Sequence, residues 1–373
     1  MRQAMRGGHR RRASRWLLAG CGAAAALAHA GPANAAPWQD DTPLSVGQAH
    51  RRTLEVSGSD RYTLDLPGES FVFGVANQIS VDVVVTVYDP AGEVVGRFDA
   101  PSRGPEAFQF TTDAGGVYVI EVAPFEGATG EYELRLRGAE ALATTPEGRA
   151  EQMLAPHDGR DVPGGVVAVV REGRVAWSRA FGMASLTYDI PFTVQTRTNI
   201  GSTSKQFTAF AVALLAERGA LSLDDDVRTH IPELPDLGHT VTLRHLLTHT
   251  SGYREFLNAV FMGGRRIDLG DWIERDEIIE LVQRQESLQN VPGAEWNYNN
   301  TGYGLLATVV ERVGGKPFPD WMRENVFEPL GMDDTFVKSS PMQIVPGASQ
   351  GYVPDPAGGF LAAYDLGGAM GAG

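Results

Sequence analysis

The stretch Asn199-Ile200-Gly201-Ser202-Thr203-Ser204-Lys205-Gln206-Phe207-Thr208-Ala209 places a serine three residues before a lysine, at the head of an apolar helical run that continues to Arg218-Gly219. Lysine is rare in this chain: it occurs only at Lys205, Lys316 and Lys338, while arginine is used throughout. A serine hydroxyl is a poor nucleophile until a base removes its proton, and a neutral lysine amine can be that base. Positions i and i+3 share one face of a helix, so the two side chains can meet. The N-terminal end of a helix also disfavours a cation. Gly201 suits a sharp turn into the helix, and Thr196 to Ile200 reads as extended chain. The competing reading is a plain surface serine and lysine on a helix start.

Composition bounds the rest. A chain of 373 residues with 43% hydrophobic content can bury a large core and suggests more than one domain. The net charge of −14 and pI near 5.0 argue against nucleic-acid binding, because no basic face is evident to displace counterions. Six arginines between Arg2 and Arg15 precede the apolar run Trp16 to Leu27 and the small-residue pattern Ala33-Asn34-Ala35. This predicts a secretory signal peptide over residues 1–35 and an exported protein, periplasmic or secreted. The one cysteine, Cys21 in Leu18-Ala19-Gly20-Cys21, offers a lipoprotein anchor as the less favoured alternative. Cleavage after Ala35 would leave no thiol and no disulfide.

Residues 42–138 read as all-β. Alternating runs such as Tyr62 to Leu66, Val81 to Tyr88 and Val117 to Val122 are separated by turn signals, among them Asp89-Pro90-Ala91-Gly92 and Asp113 to Gly116. Many short strands at this spacing predict an antiparallel β-sandwich. Tyr62-Thr63-Leu64, Tyr88 to Gly92, Gly115 to Val119 and Gly130 to Leu134 give it a loose resemblance to pre-peptidase C-terminal-like domains. A stabilising or spacing role is the first expectation for it; a glycan or protein partner is the second.

After a join over 139–163, a helix is expected from Pro146 to Leu154. Strands are expected at Gly165 to Val170 and Val175 to Phe181, turning at Glu172-Gly173. Helices are expected at Lys205 to Arg218, His245 to Leu247, Asp271 to Gln283, Asn300 to Val313 and Phe318 to Val326. Strands followed by helices predict an α/β (α+β) domain over 145–373 in a multidomain chain.

A second chemical segment is Trp296-Asn297-Tyr298-Asn299-Asn300-Thr301-Gly302-Tyr303, ahead of a helix. Tyr298 and Asn300 stand two apart and can face one pocket. A phenol beside a lysine ammonium can serve as base and then as acid to a leaving group. Asn300 can hydrogen-bond the lysine or a substrate amide. Taken alone, Asn-Asn-Thr-Gly is an ordinary turn and helix cap.

Together with Pro163 to Val170, Arg244-His245-Leu246-Leu247-Thr248-His249-Thr250-Ser251-Gly252 and Pro329-Leu330-Gly331-Met332, these segments resemble the serine β-lactamase and penicillin-binding-protein family, on its class C side, and they occur in that family's order. The resemblance implies a hydrolase forming an acyl-enzyme. Ser202 is then the nucleophile, Lys205 its base and Tyr298 the second acid/base. Asn300 becomes a positioning residue, and the Ser202 N–H one oxyanion donor. In the family the His-Thr-Ser-Gly segment is scaffold, so His249 is not expected to be the base. No G-x-S-x-G elbow, no H-E-x-x-H helix and no metal-ligand spacing occurs, and no cofactor is expected.

The family's third motif, Lys-Thr-Gly or His-x-Gly after the Tyr-x-Asn segment, is absent. The matches His29-Ala30-Gly31 and His157-Asp158-Gly159 both precede Ser202. The chain is therefore expected to be C-terminally truncated, an incomplete domain lacking three strands and a closing helix. The substrate expected is a D-amino-acid peptide, a small ester or a β-lactam, with peptidase or esterase action ranked above antibiotic degradation. The alternative is a secreted binding protein whose sandwich takes a glycan or protein, behind an inactive hydrolase-like domain.

Overall fold

A computed structural model describes residues 41–100, 104–355 and 359–364. The expected leader with Cys21, and the end Gly367 to Gly373, lie outside the described residues. The elements below belong to one compact unit starting at Thr42.

Nine strands come first: β1 (Thr42–Pro43), β2 (Ala49–Leu54), β3 (Asp60–Leu66), β4 (Ser70–Gln78), β5 (Val83–Tyr88), β6 (Val94–Phe98), β7 (Gly104–Thr111), β8 (Gly116–Pro124) and β9 (Gly130–Ala141). They form a five-stranded sheet in the order β1-β3-β8-β5-β6 and a four-stranded sheet in the order β2-β9-β4-β7. Alternation decides which side chains turn inward. β3 buries Tyr62, Leu64 and Leu66 and exposes Asp65. One buried cluster draws Leu64, Val85 and Ile120 from the first sheet and Val72, Phe108 and Leu134 from the second. Two departures from expectation stand out. β1 pairs with β3 in parallel. The polar strand β2, Ala-His-Arg-Arg-Thr-Leu, carries no alternating apolar signal and is held by pairing with β9. Inside the core, the Tyr62 and Tyr132 hydroxyls lie 2.6 Å apart, and Tyr132 donates to Asp60 Oδ2 at 2.7 Å. That chain satisfies two hydroxyls which burial would otherwise leave unpaired.

Helix α1 (Pro146–Leu154) follows, capped by the Thr145 hydroxyl, which accepts the Gly148 N–H at 3.1 Å. Its buried Gln152 reaches back to β9. The Gln152 Oε1 accepts the Ala143 N–H at 2.9 Å, and its Nε2 donates to Ala141 O at 2.8 Å and Glu140 Oε1 at 2.9 Å.

Strands β10 (Gly165–Arg171) and β11 (Arg174–Phe181) form the expected hairpin. Glu172 and Gly173 both take positive φ, 49° and 72°, the two-residue turn whose twist suits a hairpin. Val170 and Val175, at its tip, are 62% and 63% exposed. Among the described residues no third strand pairs with it.

The helices α2 (Lys205–Glu217), α3 (Leu243–Leu247), α4 (Phe256–Met262), α5 (Arg275–Gln283), α6 (Asn300–Gly314) and α7 (Phe318–Met322) make the second core. Every residue of α6 from Thr301 to Val310 is buried, as a helix packed on all sides must be. Leu215 of α2, Leu246 of α3, Ile279 of α5 and Trp321 of α7 share its cluster. α5 begins four residues later than expected, where the Glu277 carboxylate accepts the Glu274 N–H at 3.0 Å. The helix expected over Phe318 to Val326 is α7 followed by a π turn, Arg323–Phe327.

Candidate active site

Gly201 sits at φ 53°, in the left-handed region that favours glycine. It opens a 3₁₀ turn, Gly201–Ser204, that runs directly into α2. With three residues per turn, positions i and i+3 eclipse. Ser202 and Lys205 therefore stand one above the other, and Lys205 Nζ donates to Ser202 Oγ at 3.0 Å. The serine is exposed and the lysine only 6% exposed. Upstream, residues 196–200 hold a single isolated bridge, Arg197 with Ala348, and no strand.

Two aromatic rings flank the lysine. Nζ lies 5.0 Å from the centroid of the Tyr298 ring and 5.6 Å from that of Tyr303, within cation–π range. Tyr298 is 45% exposed, whereas Tyr303 is buried and donates its hydroxyl to Leu247 O at 3.1 Å. Burial, then Tyr298, pushes the Tyr303 phenol up from its ordinary value. The buried Lys205 thus lies against both the exposed Ser202 and the half-exposed Tyr298.

Asn300 is placed differently from expectation. It is the first residue of α6, and its Nδ2 donates to Glu255 Oε1 at 3.0 Å while its backbone N–H donates to Glu255 Oε2 at 2.5 Å. One of the two amide N–H groups is committed to Glu255, and the other, with Oδ1, remains to serve the lysine or a substrate. The neighbouring residues complete the attachment. Asn299 caps α6 by accepting the Gly302 N–H at 2.8 Å, and donates its Nδ2 to Tyr253 O at 2.9 Å. Thr301 Oγ1 donates to Arg254 O at 2.7 Å and accepts the Phe256 N–H at 2.9 Å. Three consecutive residues of one segment thus bind four consecutive residues of another.

The His-Thr-Ser-Gly segment packs beside this. Gly252, at φ 78°, donates no space: a Cβ there would lie 2.3 Å from Asn290 O. His249, also left-handed at φ 58°, touches the site directly. Its ring centroid is 4.6 Å from Tyr298, 5.2 Å from Tyr303 and 6.1 Å from Trp296. Burial first, and the nearby Lys205 second, hold its pKa below the ordinary histidine value, so the neutral ring is favoured.

Glu255, Asn299 and His249 are the residues that sequence reasoning left out of the site. The Asn-Asn-Thr-Gly cap signal pointed to Asn299. Nothing local marks Glu255, whose partner lies 45 positions away. Among the described residues, no group of three or more His, Cys, Asp or Glu could hold a metal ion. Two clefts, of about 370 Å³ beside Gln152 and Arg179 and about 640 Å³ beside Phe73 and Arg135, lie outside this site.

Residues 150–373 match the family model described as Beta-lactamase, and the chain belongs to that family. Penicillin-binding protein 4* of Bacillus subtilis (strain 168) is 34% identical over 173 residues, 46% of this chain and 38% of its own length. A D-aminopeptidase of Cereibacter sphaeroides is 32% identical over 170 residues, 46% of this chain and 32% of its own. The chain thus spans well under half the length of these relatives. Among solved structures, the octameric penicillin-binding protein homologue from Pyrococcus abyssi aligns with a TM-score of 0.54 at 30% identity, covering 61% of this chain and 53% of that one.

Proposed function

We propose that this is a serine hydrolase working through an acyl-enzyme on Ser202, with a D-amino-acid peptide or a small ester as substrate. The observation that carries it is the 3.0 Å contact between Lys205 Nζ and Ser202 Oγ. Along that line, a neutral lysine takes the hydroxyl proton as Oγ attacks the substrate carbonyl. The Ser202 N–H, in a first helical turn without an intrahelical acceptor, faces the developing oxyanion. Tyr298, against the lysine, returns a proton to the leaving group. Water then hydrolyses the ester by the reverse sequence. Asn300 holds the Tyr-x-Asn segment through Glu255 and offers Oδ1 to the substrate.

The peptide preference is supported by the D-aminopeptidase relative. The domain limits at 42–138 and 145–373 remain our division, with the two β-sheets read as an accessory sandwich. Export on the residue 1–35 leader belongs to the same proposal. A fluorophosphonate or labelled penicillin should modify the full-length protein at Ser202. Labelling that persists in Ser202→Ala overturns the assignment.

A further inference from the structure

We infer that His249 is the positioning residue for Tyr298, holding it from both sides of its own peptide unit. This rests on the role proposed above for Tyr298. The Asn297 N–H donates to His249 O at 2.8 Å, and the Asn299 N–H donates to His249 Nδ1 at 3.0 Å. The two residues flanking Tyr298 are therefore anchored to a single residue, one through backbone and one through side chain. The imidazole ring lies against the phenol it frames, centroid to centroid 4.6 Å with 33° between planes. A clamp of this kind fixes both the position of Cα298 and the tilt of its ring.

The chemistry of the clamp selects histidine. An Nδ1 that accepts a hydrogen bond carries no proton, so the ring proton sits on Nε2. A protonated ring could not accept from Asn299. The left-handed φ of 58° is costly for most side chains and is tolerated best by glycine and asparagine. It turns the carbonyl and the ring toward the same segment, which an ordinary extended backbone does not do.

Two substitutions suit that φ and separate the functions. His249→Gly keeps the backbone carbonyl and removes both ring and acceptor. His249→Asn removes the ring but carries an oxygen where Nδ1 stood. The readout is modification of Ser202 by a fluorophosphonate in the full chain, each variant alone and combined with Tyr298→Phe. His249→Gly should lower the limiting rate on the order of 10- to 100-fold, the usual cost of displacing a reacting group, with the half-saturating concentration unchanged. His249→Asn should recover most of that loss. In the Tyr298→Phe background neither substitution should matter by more than about 2-fold, since groups acting as one unit are not additive. Losses that multiply with Tyr298→Phe, or a folded His249→Asn as slow as His249→Gly, overturn the inference. If His249→Gly does not fold, His249→Asn decides alone: a folded variant slower than wild type by about 10-fold or more overturns the clamp. A Tyr298→Phe variant reacting at the wild-type rate removes the role of Tyr298 and the clamp with it, leaving Ser202 untouched. Labelling of Ser202→Ala instead sinks the underlying reading.

Discussion

Asn300 and Glu255 are joined twice, by the backbone N–H and the side-chain amide of one residue on the two oxygens of the other. The same carboxylate accepts the Leu257 N–H at 3.3 Å. Glu255 therefore caps α4 and α6 at once, and a negative charge lies at the positive ends of two helices. An asparagine expected on the substrate side is thus also a link between the two helix starts.

Removing that carboxylate should be felt as the loss of two caps. Glu255→Ala is expected to cost about 2 kcal/mol. In a domain of this size that lowers the unfolding midpoint by roughly 4–8 °C. Glu255→Gln, which keeps one oxygen, should cost less. Calorimetry checks it, and an unchanged midpoint would show that water caps these helices equally well.

Lys205→Arg should not support acylation. The guanidinium keeps its charge and cannot take the Ser202 proton. Loss of a general base commonly slows a reaction about 10²–10⁴-fold. The rate of fluorophosphonate modification measures this directly. An arginine variant within 10-fold of wild type would show that Lys205 acts only as a charge.

Gly201→Ala tests the turn. No heavy atom crowds the missing Cβ, so the cost is the left-handed φ alone, about 1 kcal/mol. Gly201→Asn should be milder than Gly201→Val, because asparagine visits this region more readily. The melting midpoints should fall in that order, with Ser202 reactivity falling further than stability does.

Acid should act on the two halves in opposite directions. Burial lowers the pKa of His249 and of His245. Below the ordinary value of 6.5 the unfolded chain binds more protons than the folded one, so this stabilisation is lost as pH falls through the folded values. Glu106, buried on the inward row of β7, has its pKa raised by burial, and so does Asp82. Their contribution is present at low pH and lost as pH rises through their raised values. Hydrogen exchange, corrected for intrinsic rates, should show protection over residues 205–315 falling between pH 7 and pH 5. Protection over 60–124 should hold or rise. A parallel decline in both halves would contradict this.

Sequence legibility followed the range of the interaction. Ser202 and Lys205 meet because three residues make a turn, and the hairpin at Glu172-Gly173 follows from two neighbouring conformations. Helix α1 matches the expected limits because its cap and its proline are local. Asn300 turned toward Glu255 because the competing partner came from a distant loop. β2 was invisible for the same reason, since only β9 makes it a strand. His249 could be named as scaffold from its segment, but its contact with the Tyr298 ring needed the fold.

Gln152 makes the junction of sheets and helices a bracket. A flexible tether would let each part sample a volume around the other, and local concentration would vary smoothly with tether length. Three hydrogen bonds from one buried side chain instead hold α1 against the end of β9, so the chain leaves the second sheet in one direction. Gln152→Gly should free that exit, and the backbone amides over residues 143–154 should then exchange faster while those of β9 keep their protection.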